Sequence, residues 1–473
     1  MAAPLKILQA THSPPDYIPP PILAPDQVVC GPQYPDQKRG DRVVSIKTPA
    51  GGYDIEAALA TLPANQRPDL FVARVDSSGV NLPRNTASLN CRRILLIGDT
   101  HHQAQPIRRL LAYAREEAYD ALVFDYTRQH AHFFIEAGLA PVYWLPGVNV
   151  RRIAVPPPGK TNIPFSFVGQ AGKFHPRRRV LCQKLVDAGL PLKIMSAPSG
   201  QARVFHAKSR VNLNCSLNGD LNLRVFEVLA SGGCLLTDRL GPFAGLDRLF
   251  VAGEHLQSYG DDGDCVAEAR ALLADPARAA LLAKQGKAHY GALYSTERMT
   301  RDFLDLVEGK EGRPEFALTH DPRASASSGS EGLMERIALY EIVQAVHMSR
   351  ESVKMTVAAG VDARFLSDCA DLPRLQIQAA MDAARSAHLA AAGVAGLVGE
   401  VPNLEAVMDR PCDLLASTVA GWRDGATRDL LTRQPQAMLL LTDRIADPAL
   451  DAELARAGLK SVAGDAPLYA RGG

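Results

Sequence analysis

The stretch from Asn212 to Asp238, NLNCSLNGDLNLRVFEVLASGGCLLTD, carries the pattern that decides the fold. An apolar strand enters a polar loop over Ser216–Asp220, and a helix with one apolar face then ends at Gly232 and Gly233. A second apolar strand, Cys234–Thr237, follows the two glycines directly. Strand, helix and strand joined by short connections predict a parallel βαβ unit, the building block of an α/β sheet.

The same alternation of strands and helices extends outward from this unit. In the first 150 residues, predicted strands are Leu5–Ala10, Arg42–Thr48, Asp69–Val75, Arg93–Gly98, Ala121–Tyr126 and Val142–Leu145. Around the quoted unit they are Pro164–Gly169, Leu190–Ser196, Val211–Cys215 and Cys234–Thr237. A stiff Pro156–Pro158 stretch separates the two sets. We therefore predict two α/β domains with parallel sheets, over residues 1–150 and 151–309, that face each other across a cleft.

A third segment follows a Ser- and Gly-rich stretch at residues 310–331, which predicts a flexible linker. Residues 332–473 are Ala-rich and helical in pattern at first, with short strands only near the end. They contain no convincing Gly-x-Gly-x-x-Gly loop after a strand, although their late strands suggest half of a Rossmann-like fold. We predict an α/β accessory domain that binds the acceptor or another protein.

Composition excludes several classes of protein. The 473 residues contain 52 Lys plus Arg and 51 Asp plus Glu, so the basic surplus of a general nucleic-acid binder is missing. No apolar run reaches the roughly 20 residues of a membrane helix, and prolines replace the apolar core of a signal peptide near residues 14–21. The eight cysteines form no C-x-x-C pair, which predicts reduced thiols and no zinc site. We expect a cytoplasmic protein without integral membrane association.

The helix of the quoted unit combines groups that suit a nucleoside diphosphate. Asp220, a favoured N-cap residue, and Asn222 stand at its start, where unpaired backbone N–H groups attract anions. Arg224 and Glu227 lie three residues apart and share one face. The N–H groups would bind phosphate and the carboxylate would bind a sugar diol. The alternative interpretation is an amphipathic helix with a surface ion pair.

This stretch resembles the nucleotide-sugar site of GT-B glycosyltransferases, most closely the CgeB-like spore-maturation branch. The shared residues are Gly219, Asp220, Asn222, Arg224, Phe226, Glu227, Ala230, Gly232 and Gly233. In the wider superfamily two glutamates mark this helix; Glu227 matches the ribose-binding one, and Gly219 stands at the position of the other. The resemblance implies two Rossmann-like domains, a donor bound mainly by the second, and no metal requirement.

A second fragment supports a donor site. The predicted strand ending at Gly169 leads to Lys173, Arg177 and Arg178. Gly169 would allow the backbone to approach a ligand closely, and at least one of the three cations would neutralise the leaving diphosphate. GT-B enzymes are similar in placing a glycine loop and a basic residue here. The alternative interpretation is a solvated basic helix start.

The first domain is expected to supply the acceptor site and the catalytic base. His12 follows the first predicted strand, and Asp99, His101 and His102 follow the strand Arg93–Gly98. Histidine titrates near neutrality and suits proton transfer, and Asp99 would orient one of the two histidines. Although His130 and His132 add to the histidine count, no ligand spacing of a recognised metal site is present, so we predict no metal.

These observations predict a glycosyltransferase that moves a sugar from a nucleoside diphosphate sugar to a glycan, protein or small-molecule acceptor. The donor is a substrate, and no cofactor is expected. Two alternatives remain open: a nucleotide-sugar epimerase of the same fold, and a non-catalytic module that binds sugar or protein.

Overall fold

The chain divides into two compact units, residues 1–319 and 320–473. The computed structural model describes residues 5–14, 23–139, 141–148, 162–173, 175–310, 316–318, 321–325, 332–443, 447–462 and 466–471. The predicted linker Pro156–Pro158 lies outside these residues, as does most of the predicted linker 310–331.

The first unit contains two α/β domains, the first built on an eight-stranded sheet. The strands of this domain, eight of them in the large sheet, are β1 (Ile7–Ala10), β2 (Val28–Gly31), β3 (Gln37–Arg39), β4 (Arg42–Lys47), β5 (Gly51–Asp54), β6 (Leu70–Val75), β7 (Asn81–Arg84), β8 (Arg92–Ile97), β9 (Ala121–Phe124) and β10 (Val142–Trp144). Its helices are α1 (Ile55–Leu59), α2 (Pro106–Glu117) and α3 (Ala131–Glu136). The sheet order is β10-β9-β8-β6-β1-β2-β4-β3, and β5 and β7 form a separate parallel pair.

All pairs in the large sheet are parallel except β3 with β4. Every residue of β1, β6 and β9 is buried, as expected for parallel strands covered on both faces. Because these strands are parallel, their carboxyl ends lie along one edge of the sheet. The polar residues that follow β1, β6 and β8 are therefore brought together at that edge.

The second domain is built on a parallel five-stranded sheet. Its strands are β11 (Ile163–Val168), β12 (Leu192–Met195), β13 (Ser209–Leu213), β14 (Leu235–Asp238) and β15 (Gln257–Tyr259), in the order β12-β11-β13-β14-β15. Its helices are α4 (Pro176–Asp187), α5 (Ser199–Lys208), α6 (Leu223–Ser231), α7 (Leu246–Leu249), α8 (Asp262–Ala274), α9 (Pro276–Leu293) and α10 (Thr296–Val307). Phe165, Phe167, Val211 and Leu213 of the central strands belong to its apolar core.

Helix α6 begins two residues later than a cap at Asp220 requires. Its N-cap is Asn222, which makes no side-chain capping bond, and the Asp220 carboxylate accepts a hydrogen bond from the Leu217 amide at 3.2 Å instead. The Leu221 amide donates to the Tyr126 carbonyl of the first domain at 3.0 Å. This contact between domains holds the loop outside the helix, so the prediction that Asp220 caps α6 was wrong.

The end of α6 follows the predicted glycine stop. Gly232 has a φ of 75°, the left-handed conformation that terminates helices. At Gly233 a Cβ atom would lie 2.5 Å from the side-chain nitrogen Nδ2 of Asn212, so a larger residue would force α6 and β13 apart. The two glycines therefore fix the tight return from α6 into β14.

The second unit contains a complete seven-stranded sheet. Its strands are β16 (Val353–Val357), β17 (Leu375–Ala380), β18 (Val398–Val401), β19 (Leu414–Ser417), β20 (Met438–Leu441), β21 (Leu459–Ser461) and β22 (Leu468–Arg471). Its helices are α11 (Pro322–Ser325), α12 (Leu333–Ser349), α13 (Ala363–Ala370), α14 (Ala383–Ala391), α15 (Val419–Arg423), α16 (Ala426–Arg433) and α17 (Pro448–Arg456). The order is β18-β17-β16-β19-β20-β22-β21, with β22 antiparallel to both neighbours. The sequence pattern predicted short strands only near the end of this segment, so β16, β17 and β18 were not predicted.

A buried side chain occupies the carboxyl ends of β16 and β17 in this unit. Arg385 is 4% exposed and donates hydrogen bonds to the carbonyls of Ala358 at 3.3 Å, Val361 at 2.6 Å and Ala380. An α/β sheet commonly binds its ligand at this position. The guanidinium fills the space between the two strand ends, so we do not place a nucleotide site there.

The predicted fold class is confirmed for the first unit: two Rossmann-like domains of mostly parallel sheet, with helices between the strands. All eight cysteines are unpaired. Among the residues that the structure describes, no helix combines the length and apolar character needed to cross a membrane.

Candidate functional site

A cavity of about 410 Å³ lies between the two domains of the first unit, at the carboxyl ends of their strands. Its size is within the usual range for small-ligand sites. The first domain contributes His12, Ser13, Pro14, Arg74, Asp76, Asp99, His101, His102 and Tyr126. The second contributes Val168, Gly169, Gln170, His175, Arg178, Ala197, Ala202, Leu217, Asp220, Asn222, Leu223, Arg224 and Glu227. The cavity thus brings both sets of predicted site residues together, apart from Lys173 and Arg177.

Contacts between the domains hold the two walls in place. The Arg128 guanidinium donates to the Phe243 carbonyl at 2.6 Å and lies over the Trp144 ring. A Cβ atom on Gly147 would lie 3.0 Å from the Phe226 ring, so the first domain approaches α6 closely. The cavity geometry therefore depends on packing between domains as well as on each sheet.

Arg224 is locked against the end of β11. Its Nε donates to the Val168 carbonyl at 2.7 Å, its Nη1 donates to Asn214 Oδ1 at 2.8 Å, and its guanidinium lies 4.5 Å from the centre of the Phe167 ring. Burial, followed by the charge of Arg178, lowers the pKa of Arg224 to about 10, so it stays cationic at neutral pH.

The absence of a side chain at Gly169 makes room for the Arg224 guanidinium. A Cβ at this position would lie 2.0 Å from Arg224 Nη2, and the Gly169 φ of 152° disfavours other residues as well. Close approach was predicted here, but the group that approaches is a side chain of α6. Gly169 still lines the cavity beside that guanidinium.

The structure separates the three predicted basic residues. Arg178 lines the cavity and is fixed there by a hydrogen bond from its Nε to the Cys215 carbonyl at 2.8 Å. Arg177 points the other way, into the domain, where its buried guanidinium pairs with Asp262 of α8. Lys173 is exposed and does not line the cavity. A diphosphate in the cavity would therefore meet Arg178, because Arg177 belongs to the packing of α4 on α8.

The start of α6 presents polar groups to the same space. Asn222 is 8% exposed, and neither its amide nitrogen nor its amide oxygen has a hydrogen-bond partner among the described residues. Glu227 lies one turn further along and also lines the cavity. Buried polar atoms without partners are costly, so the Asn222 amide is suited to a bound ligand.

On the opposite wall His12 and Asp76 form a pair. His12 Nε2 lies 2.7 Å from Asp76 Oδ2, while His12 Nδ1 is buried without a hydrogen-bond partner. Burial by itself raises the pKa of Asp76, but the hydrogen bond and charge of His12 outweigh it and bring the pKa to about 2. An ionised carboxylate on one ring nitrogen orients the imidazole and supports proton uptake at the other.

Asp99 lies between two histidines. His101 Nδ1 and His102 Nε2 are each 3.1 Å from an Asp99 carboxylate oxygen. Ligand atoms of these three residues lie within 4.8 Å of one another, so they form a group that has the geometry to hold a metal ion. Their chemistry, two imidazoles and one carboxylate, also suits a divalent transition metal.

His175 joins this group from the second domain. Its ring contacts the His102 ring edge-on, with 5.8 Å between ring centres. Burial, followed by the charge of Arg178, lowers the pKa of His175 to about 4. The ring is therefore neutral near pH 7 and adds no positive charge to the cavity.

Sequence reasoning missed Asp76, Arg74 and His175 as site residues. Asp76 directly follows a predicted strand, so the rule that found His12 and Asp99 applied to it as well. Arg74 gave no such signal, because it lies inside β6, where every residue is buried. His130 and His132, by contrast, are buried in packing: His130 Nδ1 lies 2.6 Å from Thr100 Oγ1, and His132 Nδ1 lies 2.9 Å from the Gln129 carbonyl.

Two Rossmann-like domains with a polar cavity at the carboxyl ends of their strands are the arrangement expected from the sequence resemblance to GT-B glycosyltransferases. Residues 177–305 match the family model described as Glycosyl transferase-like. This segment includes α4 except its first residue, the whole of α6, and the residues of the second wall from Arg178 to Glu227.

The solved structures to which the chain is similar include glycosyltransferases. Sucrose-phosphate synthase from Thermosynechococcus elongatus is 13% identical, with 64% of this chain and 98% of that chain covered and a TM-score of 0.47. Anabaena HepE in complex with UDP and glucose is 12% identical, with 64% and 100% covered and a TM-score of 0.46. A glycosyltransferase from Rickettsia africae is 9% identical, with 64% and 97% covered and a TM-score of 0.46. A search of curated proteins gave no match.

Proposed function

We propose that the protein is a glycosyltransferase that moves a sugar from a nucleoside diphosphate sugar to an acceptor hydroxyl. The observation that carries the proposal is the composition of the two cavity walls. One wall presents Glu227, Arg178 and the start of α6, and the other presents the His12–Asp76 pair. Anion-binding groups thus face a proton acceptor across a space of small-ligand size.

The second domain would bind the donor. The Glu227 carboxylate accepts hydrogen bonds from the two ribose hydroxyls. Arg178 and backbone N–H groups at the start of α6 bind the diphosphate. Arg224, pinned to Val168 and Asn214, adds positive charge and keeps the end of β11 against α6. The matched Glycosyl transferase-like segment contains all of these groups except Val168.

The first domain would activate the acceptor. The acceptor oxygen attacks the anomeric carbon of the donor, the bond from that carbon to the diphosphate oxygen breaks, and its electron pair leaves with the diphosphate. His12 Nδ1 takes the proton of the acceptor hydroxyl, with Asp76 holding the ring from the other side. Arg178 and the α6 amides stabilise the departing charge, so we propose that transfer needs no metal ion.

The finer assignment follows the motif of α6. We propose the CgeB-like branch, because Gly219, Asp220, Asn222, Arg224 and Glu227 occupy the spacing described for it. The acceptor is a glycan, a protein or a small molecule, and the second unit would help to recruit it.

The test starts from the purified full-length chain and a panel of nucleoside diphosphates, with binding measured by calorimetry. The nucleotide that binds is then supplied as its sugar conjugates, and release of nucleoside diphosphate is followed with and without candidate acceptors. Release of the diphosphate, faster with acceptor, is expected. Interconversion of the free nucleotide sugar would indicate an epimerase instead, and the absence of any nucleotide binding would contradict the proposal.

A further inference from the structure

Arg74 is a buried cation with few partners on the first wall of the cavity. It is the fifth residue of β6, between β1 and β8 in the sheet, and it is 1% exposed. Its Nη1 donates to Ser13 Oγ at 3.2 Å, and its Nε is buried without an acceptor. A guanidinium carries five N–H groups, so most of its hydrogen-bonding capacity is unused here.

The carboxylates of this wall already have basic partners. Asp76 lies against His12 at 2.7 Å, and Asp99 lies against His101 and His102 at 3.1 Å. Among the described residues, no ion pair includes Arg74. Its charge is felt by Asp76, whose pKa it helps to lower, but the two groups are not within salt-bridge distance.

A buried charge without a counterion is strongly unfavourable, so its retention on a cavity wall requires a compensating group. Arginine pairs best with planar or tetrahedral oxyanions, because its fork of N–H groups matches carboxylate and phosphate oxygens. The other cavity guanidiniums, Arg178 and Arg224, belong to the second domain and flank the start of α6. Arg74 stands on the wall of His12, where the acceptor would bind.

We propose that Arg74 binds an oxyanion, a carboxylate or a phosphate, carried by the acceptor, so that the enzyme selects acidic acceptors. The assignment of this oxyanion to the acceptor rests on the proposed function. The binding of an anion at Arg74 follows from its burial and its missing partners alone.

The test uses inorganic phosphate and acetate as probes, with acetamide as a neutral control. The full-length chain is first saturated with the nucleoside diphosphate that it binds, which fills the diphosphate site. Each probe is then titrated while the melting temperature is recorded for the wild type, Arg74→Gln and Arg115→Gln. Arg115 is exposed on α2 and does not line the cavity, so its variant makes the same change of net charge elsewhere.

For the wild type and Arg115→Gln, we expect at least one of the two anions to raise the melting temperature by about 2 °C at ten times its Kd. In Arg74→Gln the affinity for that anion is expected to fall at least about tenfold. Acetamide has no effect. A response to acetate identifies a carboxylate-bearing acceptor, and a response to phosphate alone identifies a phosphorylated one.

Equal anion affinity in the wild type and Arg74→Gln would overturn the proposal, as would the absence of any anion response in the wild type. Loss of nucleoside diphosphate affinity in Arg74→Gln would overturn it too, because Arg74 would then serve the donor. If Arg74→Gln does not fold, Arg74→Lys is used instead. Lysine lacks the fork of N–H groups, so the Kd of the anion should still rise several-fold. An unchanged Kd would contradict the proposal. A wild type that binds no nucleoside diphosphate but responds to anions would refute the proposed function alone.

Discussion

His12 Nε2 and Asp76 Oδ2 lie 2.7 Å apart on the wall of the cavity that faces α6. The two residues follow different strands, β1 and β6, which are neighbours in the parallel sheet. Asp76 remains ionised because its pKa is held at about 2, so a negatively charged carboxylate lies beside Nε2 of His12. The pair has the arrangement of an oriented general base.

Replacing His12 with Gln should remove that base without disturbing the donor site. We expect turnover to fall by about 10²- to 10⁴-fold, the usual contribution of general base catalysis. Nucleoside diphosphate affinity should stay within about twofold, since the donor groups belong to the second domain. Initial rates and calorimetric Kd values check both parts, with His388→Gln in the second unit as the matched control. Unchanged turnover would remove His12 from the mechanism.

Glu227→Gln tests the ribose contact. Loss of hydrogen bonds to a charged group costs about 1.5–3 kcal/mol, which corresponds to a roughly ten- to hundredfold weaker nucleoside diphosphate complex. Asp247→Asn is the control, because Asp247 is an exposed carboxylate of the second domain that does not line the cavity. Calorimetry with both variants should show the loss for Glu227→Gln only. Equal affinities would contradict the ribose assignment.

Adjacent arginines on α4 should behave differently. Arg178→Gln should weaken nucleoside diphosphate binding and leave nucleoside binding nearly unchanged, because Arg178 faces the cavity. Arg177→Gln removes the guanidinium that pairs with the buried Asp262 carboxylate, and Lys184, 3.2 Å away, remains as a cation beside it. Breaking a buried ion pair typically costs about 3–5 kcal/mol, so this variant should lower the melting temperature clearly.

Both arginine variants are compared by thermal unfolding and by calorimetry with nucleoside and nucleoside diphosphate. A diphosphate-specific loss in Arg177→Gln with normal stability would mean that the two side chains exchange roles when ligand binds.

Chelation tests the proposed metal independence. Turnover should survive exhaustive treatment with EDTA, because in the proposed mechanism Arg178 and the α6 amides stabilise the charge of the leaving group. Elemental analysis of the dialysed protein gives the metal content in parallel. If turnover is lost and restored by a divalent ion, Asp99, His101 and His102 are the residues to examine, since they are the group suited to a metal among the described residues. Asp99→Asn would then abolish the rescue.

A chain ending at Thr319 should fold and bind nucleoside diphosphate, because all cavity residues precede that position. A chain ending at Gly309 should be less stable. It lacks Phe316 and Leu318, which are 2% and 5% exposed, and the Leu318 amide donates to the Val142 carbonyl of β10 at 2.9 Å. Melting temperatures of the two truncated chains check this. Failure of the longer chain to bind nucleotide would place part of the donor site in the second unit.

The α/β class and most of the second wall could be predicted from local sequence patterns. The apolar period of α6, the glycines after it and the polar loop before it are local signals, and each acts over a few residues. They were sufficient to bring Asn222, Arg224 and Glu227 to one end of a helix. The strand-end rule found His12 and Asp99 for a similar reason, since parallel strands all end at one edge.

Alanine-rich sequence was less informative. Strand β17, LQIQAA, was not predicted, because alanine and leucine suit a helix as well as a buried strand. The segment forms a strand because it pairs with β16 on one side and with β18 on the other. Pairing of this kind joins residues far apart in the chain, so a local pattern cannot specify it.

Which of two neighbouring side chains reaches the cavity depends on packing between elements that are distant in sequence. Arg177 and Arg178 follow the same pattern in sequence, but Asp262 of α8 takes the first and the open side of α4 presents the second. The start of α6 shifted from Asp220 because the Leu221 amide bonds to Tyr126 of the other domain. Arg74 and Asp76 became site residues because two domains meet over the ends of β1 and β6. These outcomes depend on burial and on hydrogen bonds between segments that are distant in sequence. A local sequence pattern cannot predict such contacts.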